Sequence, residues 1–229
     1  MSLINTIACG DCREILPTLP AKSFQLAFAD PPYWVGFKYG EKTDKDMAYI
    51  EPHWLVNELR RLAHIVVVTP GIKMMWEYPK PDWTMAWHKP ASMSSVNVSG
   101  GANAWDCMLF YRDGKQFMNS DVITAMVEGS KSSGKFHSCP KPEKLLRTLI
   151  EWFTEVGDSV LDPVSGSGTT CKAAYQLQRN YLGIEIDPKY QKLSLKRLSE
   201  SQPPLLAVGG LTQRAADGGN AAPEFSNFE

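Results

Sequence analysis

Short, almost wholly apolar runs recur along the chain and predict the strands of a buried sheet. The run Phe24–Ala29 stops at an acid and two prolines, which cannot continue a strand. A strand buried on both faces of a parallel sheet has this continuous apolar pattern rather than an alternating one. Further strands are predicted at 4–8, 65–69, 83–88, 107–111, 159–162 and 181–187.

Amphipathic segments lie between several of these runs and predict helices. After Pro52, leucines recur at helical spacing, and a helix is predicted to start near residues 51–52. Pro142 opens a second amphipathic helix, and further helices are predicted over 169–178 and 188–200. The apolar stripe of the helix after Pro142 is predicted to comprise Leu145, Leu149, Trp152, Phe153 and Val156. Strands alternating with helices predict an α/β fold with a doubly wound, mostly parallel sheet.

The predicted organisation is one catalytic domain over residues 1–200. Within it, residues 112–139 form a short, flexible insertion that could serve target recognition, and 201–229 form a poorly ordered tail rich in Pro, Gly, Ala and Asn. The chain has 229 residues, of which 43% are hydrophobic, enough for a substantial core.

Charge and cysteine content limit the kind of nucleic-acid site and the cellular compartment that we expect. The net charge is −1 and the pI about 6.4, so a nucleic-acid site would have to be a local basic patch on a neutral body. Five cysteines in a chain of this length indicate free thiols in a reducing compartment. No apolar run is long enough to span a membrane and no signal peptide is recognised, so we expect a cytoplasmic protein without a membrane partner.

The sequence Asp30-Pro31-Pro32-Tyr33 follows directly after the run Phe24–Ala29. In an open α/β sheet, ligands bind beyond the carboxyl ends of the strands, so a carboxylate and a ring fixed there by two prolines indicate a site. Asp and Pro are also ordinary turn residues, and a Pro-Pro turn without further function is the alternative.

A glycine-rich turn, Asp162-Pro163-Val164-Ser165-Gly166-Ser167-Gly168-Thr169-Thr170, joins a predicted strand to a predicted helix. It is not a phosphate-binding loop, because no Gly-Lys-Ser/Thr follows, and Cys171 stands where a dinucleotide fingerprint would have its third glycine. The turn alone could be merely a tight bend. Asp162 and Glu185, each at the end of a strand, favour a ligand with an ammonium group and a ribose diol.

Cys9-Gly10-Asp11-Cys12 has the spacing of a redox pair or of half a zinc site. No second Cys-x-x-Cys follows, and only His137 and Cys139 could complete a set of four ligands, so no metal is expected. The alternatives are a plain turn at a strand end and a loop that faces a ligand.

These motifs, in this order, resemble the S-adenosylmethionine-dependent DNA amino-methyltransferases of the permuted beta group, in which the catalytic tetrapeptide precedes the glycine loop. The resemblance covers about residues 4–199 and includes Gly10-Asp11-Cys12, similar to the family's motif beside the cofactor adenine. The segment from His137 to Pro142 is similar to its His-Pro-x-x-Lys-Pro motif, and Gly183-Ile-Glu185-Ile-Asp187 matches a further motif. Val164 and Ser138 depart from the family's usual phenylalanine and proline.

The resemblance implies a cofactor and the residues that bind it. It implies S-adenosylmethionine, with Glu185 on the ribose hydroxyls and no metal. The cofactor-binding residues that it implies are Asp11, Cys12, His137, Lys141, Asp162, Pro163, Val164, Ser165, Gly166, Ser167, Gly168, Thr169, Thr170, Glu185 and Ile186.

The resemblance also implies double-stranded DNA as partner and a flipped base as target. Asp30 and the carbonyl of Pro31 would accept hydrogen bonds from the exocyclic amine, Pro32 would fix their aim, and Tyr33 would stack on the base. A tetrapeptide that begins with Asp favours adenine N6 over cytosine N4. The DNA contacts are predicted at Lys131, Lys135, Lys144 and Arg147, a solvated basic loop being the alternative.

The region between the predicted strand at 107–111 and His137 is short and leaves little room for a target-recognition domain. We therefore expect low sequence specificity, or recognition supplied by a second subunit, as in a homodimer. The alternative functions are cytosine N4 methylation and a non-catalytic nucleic-acid-binding relative. Methylation of a protein amide or an RNA amine fits less well, because such relatives carry Asn-Pro-Pro-Tyr and the opposite motif order. A nicotinamide dehydrogenase is disfavoured by the missing third glycine.

Overall fold

The structure, a computed structural model, describes residues 4–34, 36, 38–39, 42–43, 49–90, 103–114, 120–126 and 141–201. The strands are β1 Thr6–Cys9, β2 Phe24–Ala29, β3 Lys38–Tyr39, β4 Lys42–Thr43, β5 Ala63–Val68, β6 Trp83–His88, β7 Trp105–Arg112, β8 Val122–Thr124, β9 Ser159–Asp162 and β10 Asn180–Glu185. The α-helices are α1 Cys12–Ile15, α2 Pro52–Leu62, α3 Glu143–Phe153, α4 Thr169–Gln176 and α5 Pro188–Ser199, and Leu16–Thr18 and Met75–Glu77 are short 3-10 turns.

Eight of these strands form one sheet in the order β1-β10-β9-β2-β5-β7-β6-β8. The first five are mutually parallel, β7 is antiparallel to β5 and β6, and β8 is parallel to β6. This arrangement confirms the doubly wound, mostly parallel sheet. The carboxyl ends of β1, β10, β9, β2 and β5 consequently lie along one edge, which we call the carboxyl edge. Strands β6 and β8 also end there, and β7 begins there.

Helices cover both faces of the sheet because its central strands are apolar on both sides. In β2, Leu26 and Phe28 pack in the core with α3 and α4, whereas Ala27 and Ala29 pack on the opposite side with α1 and α2. Helix α2 begins where predicted, since Pro52 occupies its first turn and the Glu51 carboxylate accepts hydrogen bonds from two backbone N–H groups.

The structure differs from the sequence-based prediction in a few elements. Val156 was predicted on the stripe of α3, but the helix ends at Phe153 and Val156 is 66% exposed. Strand β8 was missed, although it lies within the predicted insertion, and so was the small β3–β4 hairpin. Such short strands carry too few residues for a periodic signal. Residues 202–229, the predicted tail, lie outside the described residues.

Across the parts of the chain described above, no helix has the length and apolar character needed to cross a membrane.

Candidate active site

The carboxyl edge gathers polar side chains from five neighbouring strands. Following the order of the strands in the sheet, these are Asp11 after β1, Glu185 at the end of β10, Asp162 at the end of β9, Asp30 after β2 and Thr69 after β5. Adjacent strands are about 4.8 Å apart, so residues far apart in sequence become neighbours. The structure therefore brings together the two motifs, around Asp30 and Asp162, that the sequence separates by more than a hundred residues.

The glycine loop between β9 and α4 requires glycine for steric reasons. Gly168 has φ +75°, and a Cβ there would lie 2.6 Å from the Cβ of Ser194 on α5. Any side chain at position 168 would push α5 away from the loop. Gly166 also has a positive φ, of +50°. Glycine at these positions thus allows the loop to turn tightly from β9 into α4 and to pack against α5.

Glu185 connects the glycine loop to the turn after β10. Its Oε2 accepts a hydrogen bond from the Gly166 N–H at 2.8 Å, and its Oε1 accepts one from the Asp187 N–H at 2.9 Å. Burial raises the pKa of Glu185, while these two hydrogen bonds oppose the rise. Each carboxylate oxygen has a further lone pair, so Glu185 can still accept from a ligand.

Asp162 lies between two other carboxylates. Burial raises its pKa to about 7; hydrogen bonds from the Thr170 side chain and the Val164 N–H oppose the rise, and the charges of Asp30 and Glu185 add to it. A nearby cation stabilises the ionised form of a buried acid that is surrounded by like charge.

A buried hydroxyl in the glycine loop lacks a protein partner. Ser165 is 7% exposed, and among the described residues nothing donates to or accepts from its Oγ. Such an atom is expected to bond to a ligand or to water. By contrast, Ser167 and Thr169 are hydrogen-bonded to each other, at 3.3 Å, and Pro163 and Thr170 are buried.

The remaining predicted cofactor residues near Glu185 occupy different environments. Asp11 caps α1 and pairs with Arg13, and its hydrogen bond with the Arg13 side chain lowers its pKa. The thiol of Cys12 packs in the core, where burial raises its pKa to about 12, so only its backbone is available to a ligand. Ile186 is 57% exposed beside Glu185 and can pack against a ring.

The tetrapeptide after β2 is held by its own side chains and by the turn after β5. Tyr33 Oη donates to Asp30 Oδ1 at 2.9 Å, and Pro31 is buried. Gly71 has φ +71°, and a Cβ there would lie 2.8 Å from the Tyr33 ring, so glycine permits the backbone to rest on that ring. Burial raises the pKa of Tyr33 well above its usual value, and the charge of Asp30 adds to the rise, which keeps the hydroxyl protonated.

Lys141 contacts the tetrapeptide. Its Nζ lies 2.7 Å from Asp30 Oδ1 and 2.9 Å from Tyr33 Oη. The resemblance assigned Lys141 to the cofactor, but its hydrogen bonds in the structure run to these two residues.

The basic residues predicted to contact DNA are only partly placed. Lys131, Lys135 and the predicted cofactor residue His137 lie outside the described residues. Lys144 is exposed in the first turn of α3, close to the carboxyl edge. Arg147 lies one turn further along, where its guanidinium contacts Gln176 at 3.4 Å and Glu151 at 3.9 Å.

A buried ion pair at the carboxyl edge was not predicted. Lys89, which follows β6, lies 2.8 Å from Asp106 at the start of β7, with side chains 6% and 13% exposed. Two ammonium groups lie near the Trp87 ring, with Lys89 Nζ 5.3 Å and Lys141 Nζ 5.6 Å from its centroid. Thr69 and Gly71 were likewise not assigned to the site, although the Pro70-Gly71 turn at the end of a buried strand was a usable signal.

Cys9 and Cys12 do not belong to a metal site in the described structure. Cys9 is exposed and Cys12 is buried in the core. Within the described ranges, His, Cys, Asp and Glu side chains form no group of three or more that could hold a metal ion.

Comparison with known proteins gives the family. A family model described as DNA methylase, of the N6 and N4 methyltransferase group, matches residues 76–196, which is more than half of the chain. The chain belongs to this DNA methylase family. Its resemblance to the amino-methyltransferases is thereby confirmed.

Full-length relatives and solved structures agree with this membership. The Type II methyltransferase M2.LlaDCHI of Lactococcus lactis subsp. cremoris is 35% identical over 238 residues, covering 83% of this chain and 88% of the relative. The crystal structure of an M1.HpyAVI–SAM complex matches with a TM-score of 0.62 at 21% identity, over 84% of this chain and 98% of the other. The cytosine-N4-specific PvuII DNA methyltransferase matches with a TM-score of 0.60 at 19% identity, over 84% and 87%. The two structural matches establish a shared fold.

Proposed function

We propose that this DNA methylase transfers a methyl group from S-adenosylmethionine to the exocyclic amine of a flipped base in double-stranded DNA. The observation that carries the proposal is the position of Asp30 directly after β2, the strand that pairs with β9, from which the glycine loop begins. An amine acceptor and a cofactor cradle that share one edge are what methyl transfer to nitrogen requires. The family membership and the SAM complex of the structural neighbour support the same cofactor.

The residues along β9 and β10 fit S-adenosylmethionine. The Asp162 carboxylate suits the ammonium of its methionine part, Glu185 retains lone pairs for the ribose hydroxyls, and the unpartnered Ser165 Oγ offers a further polar contact. The exposed Ile186 suits an adenine ring. When bound, S-adenosylmethionine supplies a methyl group from a sulfonium: one carbon–nitrogen bond forms, one carbon–sulfur bond breaks with its electron pair left on sulfur, and the amine nitrogen releases one proton to water.

Asp30 and Pro31 would orient the amine. The lone pair of an exocyclic amine is delocalised into the base, so the nitrogen is a poor nucleophile. Hydrogen bonds from its NH₂ group to the Asp30 carboxylate and to the Pro31 carbonyl would favour a pyramidal nitrogen and point its lone pair at the cofactor. Alignment in a fixed geometry supplies much of the remaining acceleration. The buried Pro31 and its neighbour Pro32 make this edge rigid.

The Tyr33 ring would stack on the flipped base. One side of the ring is supported by Gly71, and its hydroxyl is tied to Asp30 and Lys141, so the ring has a fixed orientation. A base cannot present its amine to Asp30 while it remains in the duplex, so flipping is required.

DNA binding would involve the basic residues around the start of α3. Lys144, which is exposed near the carboxyl edge, supports this role. Lys131 and Lys135, which precede α3 in the sequence, are the other candidates. Arg147 would have to exchange its contacts with Glu151 and Gln176 for a phosphate.

Adenine N6 is the favoured target, because the tetrapeptide begins with Asp. Cytosine N4 is the second candidate, and the fold shared with the cytosine-N4-specific PvuII enzyme supports it. A homodimer or another second subunit would supply any sequence recognition that residues 112–139 do not.

Transfer of labelled methyl groups to a set of duplexes, followed by digestion to nucleosides, tests this function. We expect label in N6-methyladenine. Label in N4-methylcytosine would instead support the second candidate, cytosine N4 methylation. Binding of DNA and of S-adenosylmethionine without any labelled nucleoside would instead support the non-catalytic relative.

A further inference from the structure

A threonine that no motif includes lies directly against Asp30. Thr69 follows β5 and is 0% exposed. Its Oγ1 donates to Asp30 Oδ1 at 2.6 Å, and its backbone N–H donates to the Ala29 carbonyl at 3.0 Å. The Ala29 carbonyl is 3.4 Å from the same hydroxyl, so the single hydroxyl proton has its shorter contact with Asp30. Strand β5 therefore fixes Asp30 from the side away from the glycine loop.

Lys141 approaches the same carboxylate from the segment just before α3. Its side chain is 9% exposed, and its Nζ lies 2.7 Å from Asp30 Oδ1 and donates to Tyr33 Oη at 2.9 Å. Tyr33 Oη in turn donates to Asp30 Oδ1, which closes a ring of three groups. Burial by itself lowers the pKa of Lys141, but the charge of Asp30 and the hydrogen bonds to Asp30 and Tyr33 outweigh it and raise that pKa well above its ordinary value. Lys141 thus remains an ammonium.

All three of these contacts reach one oxygen of Asp30. Oδ1 receives the Thr69 hydroxyl, the Tyr33 hydroxyl and the Lys141 ammonium. A carboxylate oxygen has two lone-pair positions, so Oδ1 has no acceptor capacity left for a substrate. The donors also fix the plane of the carboxylate, and with it the direction of Oδ2.

We propose that Thr69 and Lys141 are positioning residues of the methyl-transfer reaction, which hold Oδ1 of Asp30 and so present Oδ2 to the amine of the target base. This inference rests on the proposed function. It also gives Asp30 a defined chemical role: Oδ1 is occupied by the ammonium and two hydroxyl groups, so Asp30 orients the amine through Oδ2.

Two other roles for Lys141 would give different results. If Lys141 binds the cofactor, its loss weakens S-adenosylmethionine binding. If Lys141 blocks Asp30 until DNA arrives, its loss increases the rate. Positioning affects neither binding step and lowers the rate of transfer itself.

The test compares Thr69→Val and Lys141→Met with wild type, using the full chain and a duplex that the wild type methylates. Thr69→Val keeps the shape and removes the hydroxyl, and Lys141→Met keeps the length and removes the charge. We expect the single-turnover rate at saturating cofactor and DNA to fall about tenfold to a hundredfold, as for residues that orient the ligands of a metal. The Kd values for S-adenosylmethionine and for DNA should stay within about threefold of wild type, and Thr69→Ser should restore most of the rate.

Matched controls separate positioning from general loss of structure. Thr148→Val removes a hydroxyl whose bond runs to the Lys144 carbonyl within α3, and Lys196→Met removes an exposed lysine that pairs with Glu200. Both controls should keep the wild-type rate. If Lys141→Met does not fold, the rate of methyl transfer by Thr69→Val alone decides whether the inference holds.

Several results would overturn the inference. These are rates of Thr69→Val and Lys141→Met within threefold of wild type, an increased rate, a loss that lies wholly in cofactor affinity, and a Thr69→Ser variant as slow as Thr69→Val. Failure of the proposed function is recognised separately, because wild type itself would then methylate none of the duplexes.

Discussion

The backbone N–H of Gly166 donates to Oε2 of Glu185 at 2.8 Å, so the glycine loop is fastened to the strand that ends beside it. Replacing Glu185 by Ala should free both Gly166 and the Asp187 turn and remove the acceptor proposed for the ribose. We expect the affinity for S-adenosylmethionine to fall at least about tenfold, since hydrogen bonds to charged groups contribute about 1.5–3 kcal/mol each. Calorimetric titration measures the affinity of Glu185→Ala for S-adenosylmethionine, and Glu200→Ala is the control at an exposed glutamate. An unchanged Kd in Glu185→Ala would remove Glu185 from the cofactor site.

Asp162 should make stability and cofactor binding depend on pH in opposite directions. Its pKa is raised to about 7 in the folded protein, whereas an unfolded Asp titrates at about 3.9. The folded protein therefore binds more protons between these values, and this group's contribution to stability is full below about pH 4 and is lost as the pH rises through 7. A cationic cofactor favours the ionised form, so its affinity should increase over the same range.

Unfolding and calorimetric titration at pH values from 5 to 8 measure both effects of Asp162. In Asp162→Asn the contribution of this group to both pH dependences should disappear. An affinity of wild type for S-adenosylmethionine that is constant across this range would contradict the pairing of Asp162 with the ammonium.

Gly71 should tolerate alanine less well than a matched glycine elsewhere. Gly71→Ala suffers both from its φ of +71° and from a Cβ 2.8 Å from the Tyr33 ring, whereas Gly114 has φ +69° and open space around the added Cβ. Left-handed backbone costs about 1–3 kcal/mol, and overpacking adds about 1–3 kcal/mol more. Denaturant unfolding should therefore show a larger loss for Gly71→Ala, with a lower rate of methyl transfer. Equal losses in the two variants would mean that the contact with Tyr33 has no energetic effect.

The Lys89–Asp106 ion pair should be important for stability because it is buried. Lys89→Met leaves Asp106 as a buried charge without its partner, which costs about 3–5 kcal/mol. Lys196→Met breaks an exposed pair with Glu200, for which about 0–1 kcal/mol is expected. Thermal or denaturant unfolding of the two variants measures the difference. A loss below 1 kcal/mol in Lys89→Met would indicate that water reaches Asp106 readily.

The fold was predictable where the apolar runs were long and uninterrupted. The end of β9 was located to the residue and that of β2 to within one residue, because a glycine loop follows one run and two prolines end the other. The insertion of β7 between β5 and β6 was not predictable, since strand order depends on pairings between segments that local pattern does not encode. Val156 was assigned to α3 because its spacing continued the stripe beyond the last helical turn.

The site was predictable where residues form contiguous motifs. Asp30 and Asp162 belong to such motifs and lie at the carboxyl ends of two adjacent strands, as expected for a site in an open sheet. Thr69 and Lys141 reach Asp30 from β5 and from the start of α3, and only the three-dimensional arrangement reveals these contacts. The Lys89–Asp106 pair could not be predicted from the sequence either, because its members are neighbours only through the pairing of β6 with β7.

Replacement of Asp30 by Ala tests whether this carboxylate orients the amine for methyl transfer, when methyl transfer and cofactor binding are measured on the same preparation. Asp30→Ala should bind S-adenosylmethionine with a Kd within about threefold of wild type and lose methyl transfer by at least about 10²–10³, the cost of removing one transition-state hydrogen bond. Methyl transfer by Asp30→Ala at a rate close to that of wild type would show that Asp30 does not orient the amine.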